Sequence, residues 1–110
     1  MAVNPSKENP IIVGLDIGTT KIACIVSQRD QYGKLKILGL GKAPSFGVTR
    51  GEVTNIKHTT DAIAEAVAEA EKQSGHKIKT VYVGIAGQHI ASKQILQQLF
   101  HYTKIQYKLK

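Results

Sequence analysis

Residues 11–27 read IIVGLDIGTTKIACIVS, and the reading of this stretch decides the fold. Ile11 to Leu15 is a short apolar run that ends in Asp16, the pattern of a buried strand. Asp16-Ile17-Gly18-Thr19-Thr20 reads as a turn, because glycine permits tight backbone geometry. Lys21 to Ser27 is then a second strand, rich in isoleucine and valine. The chemistry of the turn is distinctive. An acid closes a buried strand, a glycine lets the backbone fold without a Cβ in the way, and two hydroxyls follow. Consecutive backbone N–H groups in such a turn form an anion-binding concavity, which suits a phosphate chain. Asp16 is then placed to hold a Mg²⁺ ion through water, since Mg²⁺ gives up its hydration reluctantly. Lys21 either adds positive charge near the phosphates or begins the second strand facing solvent. The spacing matches neither GxxxxGK[ST] nor GxGxxG, and an ordinary hairpin turn carrying an aspartate is the alternative reading of these six residues.

Moving outward, Gln28 to Lys34 is polar and contains Tyr32-Gly33, a hairpin-type connection. Leu35 to Lys42 is a third strand, so the first three strands form an antiparallel meander. Ala43 to Glu52, with a proline and glycines, reads as an ordered loop. A helix follows, with Asn55 as N-cap and Gly75 as C-cap. Its apolar face is Ile56, Thr60, Ile63, Val67 and Ala70, spaced by three and four residues. Asp61, Glu65, Glu69 and Glu71 form a solvated face, not a paired-carboxylate site. Ile78 to Ile85 is a fourth strand that returns parallel to an earlier one by a right-handed crossover. The order β-β-β-α-β is the opening of an α/β, ribonuclease-H-like fold, the half-unit used in actin-like ATPases.

The bulk properties narrow the function classes. A chain of 110 residues is one small domain at most, or part of something larger. No stretch approaches the roughly 20 apolar residues of a membrane span, and residues 1–10 lack the apolar core of a secretory signal and read as a disordered leader. The single cysteine, Cys24, lies in an apolar run and reads as a buried small hydrophobe in a reducing compartment. His58, His76, His89 and His101 are scattered, with no metal-ligand spacing. The net charge is +7, and residues 93–110 supply four lysines and no acid.

The string IIVGLDIGTTKIACIV resembles the first phosphate motif of a superfamily that includes actin-like filament proteins, heat-shock chaperone ATPases and sugar kinases. Three further segments resemble one family within it. GLGKAPSFGVTRGEVTNI (Gly39 to Ile56), the DAIAEAVAEAE stretch of the helix, and VYVGIAGQHIAS (Val81 to Ser92) are similar to the bacterial FtsA family, in the same order. The resemblance covers about residues 11–92 and implies an N-terminal fragment: residues 11–84 as the first subdomain of an actin-like ATPase fold and 85–92 leading into a small inserted subdomain. It implies a cytoplasmic protein at the inner face of the membrane at the division site. Such a protein binds ATP and Mg²⁺, assembles into actin-like filaments, ties the tubulin-like FtsZ ring to the membrane and recruits later division proteins. By position, Asp16, Gly18, Thr19, Thr20 and Lys21 line the phosphate and Mg²⁺ end of the ATP site. Family members hydrolyse ATP poorly at most, so nucleotide is a structural ligand first and no catalytic residue is assigned. The family's second phosphate loop, adenosine loop and membrane-touching C-terminal amphipathic helix are not in these 110 residues, so weak ATP binding is expected of this chain alone.

After Ser92 the likeness ends. Residues 93–110, KQILQQLFHYTKIQYKLK, read as a divergent basic tail, from a frameshifted or prematurely ended reading frame. Within it Ile95, Leu96, Leu99 and Phe100 have helical spacing, while Ile105, Tyr107 and Leu109 alternate like a strand. Tyr102 and Tyr107 among lysines fit nucleic-acid stacking, but no nucleic-acid partner is assigned. The sheet is then incomplete, with one face and one edge uncovered, and prone to aggregate. Two other readings stay open: a piece of a sugar- or acetate-type kinase sharing the phosphate loop, and a small basic module binding DNA or anionic lipid through residues 93–110.

Overall fold

The structure, a computed structural model, describes residues 10–50, 52–85, 93–101 and 103–109. Strands β1 (Ile11–Ile17), β2 (Lys21–Arg29) and β3 (Leu35–Pro44) form the expected antiparallel meander. Each extends past the apolar run that marks it in the sequence, because pairing continues into the polar flanks: Ile17 pairs with Ile22 and Arg29 with Leu35. The β2–β3 turn is held by Asp30, whose Oδ1 accepts from the N–H groups of Tyr32 at 2.8 Å and Lys34 at 2.9 Å. Gly33 there has φ 81°, a left-handed conformation that costs glycine least.

The loop after β3 is not irregular throughout. Val48–Thr49 (β4) and Glu52–Val53 (β5) pair as a short ribbon. Helix α1 (Ile56–Ser74) follows, with the expected caps: Asn55 Oδ1 accepts from His58 N–H at 3.0 Å, and Gly75, at φ 72°, donates its N–H to Glu71. Its buried positions are Thr59, Ala62, Ile63, Ala66, Val67 and Ala70. The face is thus rotated from the expected one: Thr59 is buried and Thr60 only half-buried, its hydroxyl donating to the Leu99 carbonyl at 3.4 Å. The reason is that α1 packs against the sheet and a second helix at once, and small residues face the sheet. Gly41 shows how closely: a Cβ built there would overlap the Ala66 carbonyl oxygen and lie 2.7 Å from the Ala70 nitrogen.

Strand β6 (Thr80–Ile85) pairs parallel to β1, so the β-β-β-α-β order is present. The stretch 93–110, read from sequence as a divergent basic tail with helical spacing and then strand-like alternation, carries two elements among its described residues. Lys93–Phe100 form helix α2 and Gln106–Leu109 form β7, parallel to β6. The sheet therefore has five strands in the order β3-β2-β1-β6-β7, with β7 lying along β6. Burial explains why: Leu96 and Leu99 are fully buried, Phe100 nearly so, and the Phe100 and Tyr107 rings stack with centroids 4.9 Å apart. That contact adds about 0.5–1.5 kcal/mol beyond the area it buries. The core lies between the sheet and its helices, with Val13, Leu15, Ile17, Ile22, Cys24, Val26, Val81 and Val83 against α1 and α2. The opposite face carries Ile25 and Tyr82, each 40% exposed. Of the expected lead-in to an inserted subdomain, residues 85–92, all but Ile85 lie outside the described residues, as do residues 1–9 of the expected leader, 1–10.

Candidate functional site

Side chains alternate across a strand, so β1 sends Leu15 and Ile17 into the core and Asp16 to the open face. Asp16 is exposed there, and among the described residues no hydrogen bond or ion pair engages its carboxylate. Its cross-strand neighbours are Ala23 on β2 and Gly84 on β6. A carboxylate flanked by a methyl group and a bare backbone stands clear of its surroundings, with room for a ligand on either side. From Asp16 a concavity with a volume of about 510 Å³ runs along the open face over Gly14, Ile25 and Tyr82 to Arg29 and Leu35.

The β1–β2 turn closes beside this carboxylate. Gly18 donates its N–H to the Lys21 carbonyl at 3.1 Å, and a Cβ on Gly18 would lie 2.8 Å from that same oxygen. Glycine is needed here for the close approach of two backbones, not for an unusual φ. The bond also uses the Gly18 N–H internally, so the turn offers a ligand the amides and hydroxyls of Thr19 and Thr20, both exposed. The anion-binding concavity is one amide smaller than the sequence suggested. The Thr20 carbonyl accepts from the Ser45 N–H at 3.0 Å, which ties the turn to the end of β3. Lys21 is exposed and two positions before Ala23, so it starts β2 on the same face as Asp16.

The structure thus brings Asp16, Thr19, Thr20 and Lys21 to one end of the open face, with Gly18 as the hinge of the turn. Among the described residues, no three His, Cys, Asp or Glu side chains gather as a metal cage. A lone free carboxylate beside hydroxyls fits Mg²⁺ bound through its water and a ligand's phosphates, the way Mg²⁺ is held with few protein donors. Three contributors escaped the sequence: Ala23 and Gly84, which form the floor beside Asp16, and Ser45, which pins the turn. Ala23 could have been found from hairpin register alone, whereas Gly84 needs the parallel β1–β6 pairing and Ser45 the meander's far end. Cys24 faces the core, and burial, with a smaller effect of Glu71, pushes its thiol up to about 12. It is no nucleophile. No described helix is long and apolar enough to cross a membrane.

No family model matches the chain. Comparison with known proteins finds the cell division protein FtsA of Pseudomonas aeruginosa, 44% identical over 82 residues, covering 74% of this chain and 20% of that protein. FtsA of Neisseria meningitidis is 47% identical over 78 residues (71% and 19%), and that of Escherichia coli K12 is 32% identical over 84 (76% and 20%). Among solved structures, the ethanolamine utilization protein EutJ of Carboxydothermus hydrogenoformans superposes with a TM-score of 0.69 over 97% of this chain and 38% of that one, at 20% identity. A diol dehydratase-reactivating factor in nucleotide-free form gives 0.50 over 67% of this chain and 12% of its own, at 25% identity. These likenesses show the fold, an α/β half-unit of the actin-like ATPase type. The chain spans about a fifth of the length of the curated relatives it matches, and within that span it belongs to the FtsA family of cell-division proteins.

Proposed function

We propose that this chain supplies the first phosphate-binding part of an ATP-binding FtsA-type adaptor. In the whole protein that adaptor links the FtsZ ring to the cytoplasmic face of the membrane at the division site, recruits later division proteins and self-associates. The observation that supports the reading best is the free Asp16 carboxylate on the bare floor of Ala23 and Gly84, beside the turn that Gly18 closes. In this reading Thr19 and Thr20 hold phosphate oxygens through amides and hydroxyls, and Lys21 neutralises charge. Asp16 would hold Mg²⁺ through water. Mg²⁺, when bound, screens the phosphate charge. All four act on one side of the nucleotide, so contacts from the rest of an FtsA-type protein are needed for tight binding. The kinase alternative shares the turn, but the FtsA relatives match well beyond it, over 73 to 85 residues.

The test is a titration of the isotopically labelled chain with Mg·ATP followed by amide NMR. Shifts at Thr19, Thr20 and Lys21 that grow at millimolar nucleotide and vanish in Asp16→Ala are expected. Shifts confined to other regions, or unchanged by Asp16→Ala or by withholding Mg²⁺, refute the assignment. So does the absence of any change at these residues at about 10 mM, beyond the weakest affinity that matters here.

A further inference from the structure

Strand β3 is an edge of the sheet, and its first residues run past the helix that shelters the rest. α1 ends over Gly39, where a Cβ would lie 2.8 Å from the Ser74 nitrogen. Beyond that point Leu35 and Ile37 are 56% and 60% exposed. The Lys34 carbonyl accepts from Asp30 N–H at 2.8 Å and so points inward to β2. Alternation along the strand then turns the N–H and C=O groups of Leu35 and Ile37 outward, away from the sheet. Further along, the register shifts opposite Val26 and Ser27, and the outward N–H of Leu40 is taken by Gln73 Oε1 at 3.1 Å. The edge is thus blocked at Leu40 and open at Leu35–Ile37. The open stretch has two chemically different sides: exposed Leu35 and Ile37 on one, exposed Lys34 and Lys36 on the other.

We propose that the Lys34–Ile37 edge of β3 docks an extended acidic segment of a partner protein, which adds to the sheet as a further strand. Main-chain hydrogen bonds to the outward groups of Leu35 and Ile37 supply the pairing, and alternate side chains supply the selection. A matching segment alternates carboxylates, facing Lys34 and Lys36, with apolar residues, covering Leu35 and Ile37. Charge decides against a second copy of this chain. Antiparallel β3–β3 pairing would set lysines against lysines, and like charges directly opposite destabilise a strand pair. The competing role for these lysines is purely protective, since lysine on an edge strand discourages unwanted pairing. This site lies at the opposite end of the strands from Asp16 and does not depend on the nucleotide reading.

The experiment uses the 110-residue chain and a fluorescein-labelled octapeptide alternating valine and glutamate, with a valine–lysine octapeptide as its counterpart, read by fluorescence anisotropy. The wild-type chain is expected to bind the acidic peptide and not the basic one. K34E/K36E is expected to reverse that preference by about tenfold in each direction, the size of two exposed ion pairs. Ile37→Pro removes one outward N–H and is expected to weaken the acidic peptide about fivefold. The charge variants lie at exposed positions, and their circular dichroism at 222 nm is expected to match the wild type. No binding up to about 1 mM peptide would overturn the proposal and leave the lysines as protective only. A preference unmoved by K34E/K36E would also overturn it. So would retention on phosphatidylglycerol vesicles, lost in K34E/K36E, with no peptide binding, which would assign the edge to a lipid surface.

Discussion

Gly41 carries the sharpest consequence of the packing. It sits on β3 under α1, and an added Cβ overlaps the Ala66 carbonyl oxygen while lying 2.7 Å from Ala70 N and 2.9 Å from Ala66 C. All three are backbone atoms in the middle of a 19-residue helix, so no side chain can swing aside. Relief requires α1 to move off the sheet, loosening Ile63, Val67 and Ala70 together. Overpacking that forces backbone shifts costs about 1–3 kcal/mol, and Gly41→Ala belongs at the upper end. Gly14 is the internal control. It also lies in a central part of the sheet, but a Cβ there meets nothing within 4 Å. Gly14→Ala is expected to stabilise by about 0.4–1 kcal/mol, because alanine restricts the unfolded chain. Urea unfolding followed at 222 nm separates the two. With an m-value of about 1.5–2 kcal/mol/M, Gly41→Ala lowers the midpoint by about 1–2 M, while Gly14→Ala raises it slightly. A Gly41→Ala midpoint within about 0.3 M of wild type refutes the close approach of β3 and α1.

Three further outcomes are expected. Ser45 Oγ is buried without a hydrogen-bond partner among the described residues, and such a group costs about 1–3 kcal/mol; Ser45→Ala therefore keeps or raises the melting temperature, by about 4 °C if 1 kcal/mol is recovered. A clear loss of stability would show a partner the hydroxyl needs. Cys24 ionises in the unfolded chain near its ordinary 9.0 and in the folded chain at about 12, so its contribution is whole below pH 9 and is lost as pH rises towards 12, by up to about 1.4 kcal/mol per unit. Denaturant titrations of wild type and Cys24→Ala between pH 8 and 11 check this: only the wild type carries this loss, and the native thiol resists maleimide at pH 8. Gly75→Ala places a Cβ at φ 72° and is expected to cost about 1–2 kcal/mol, read as a lower melting temperature with unchanged helix content.

Much of the fold was legible because its signals are local. The caps at Asn55 and Gly75, the three-strand meander and the acid-glycine-threonine turn each rest on residues within a few positions of one another. The family signal in residues 39–56 and 81–92 was equally local, a matter of residue strings in order. What stayed hidden depends on distant pairing. Leu96, Leu99 and Phe100 join the core and Gln106–Leu109 extend the sheet, because burial asks only for apolar side chains of suitable size at helical spacing. The rotation of α1 from Thr60 to Thr59 came from packing on two neighbours at once. The site divides the same way. Asp16, Gly18, Thr19, Thr20 and Lys21 stand together in the sequence, so their candidacy was written there. That Asp16 faces a floor of Ala23 and Gly84, that Gly18 uses its own amide to close the turn, and that Ser45 holds Thr20 were decided only in three dimensions, where strand register and backbone approach choose which atoms remain free.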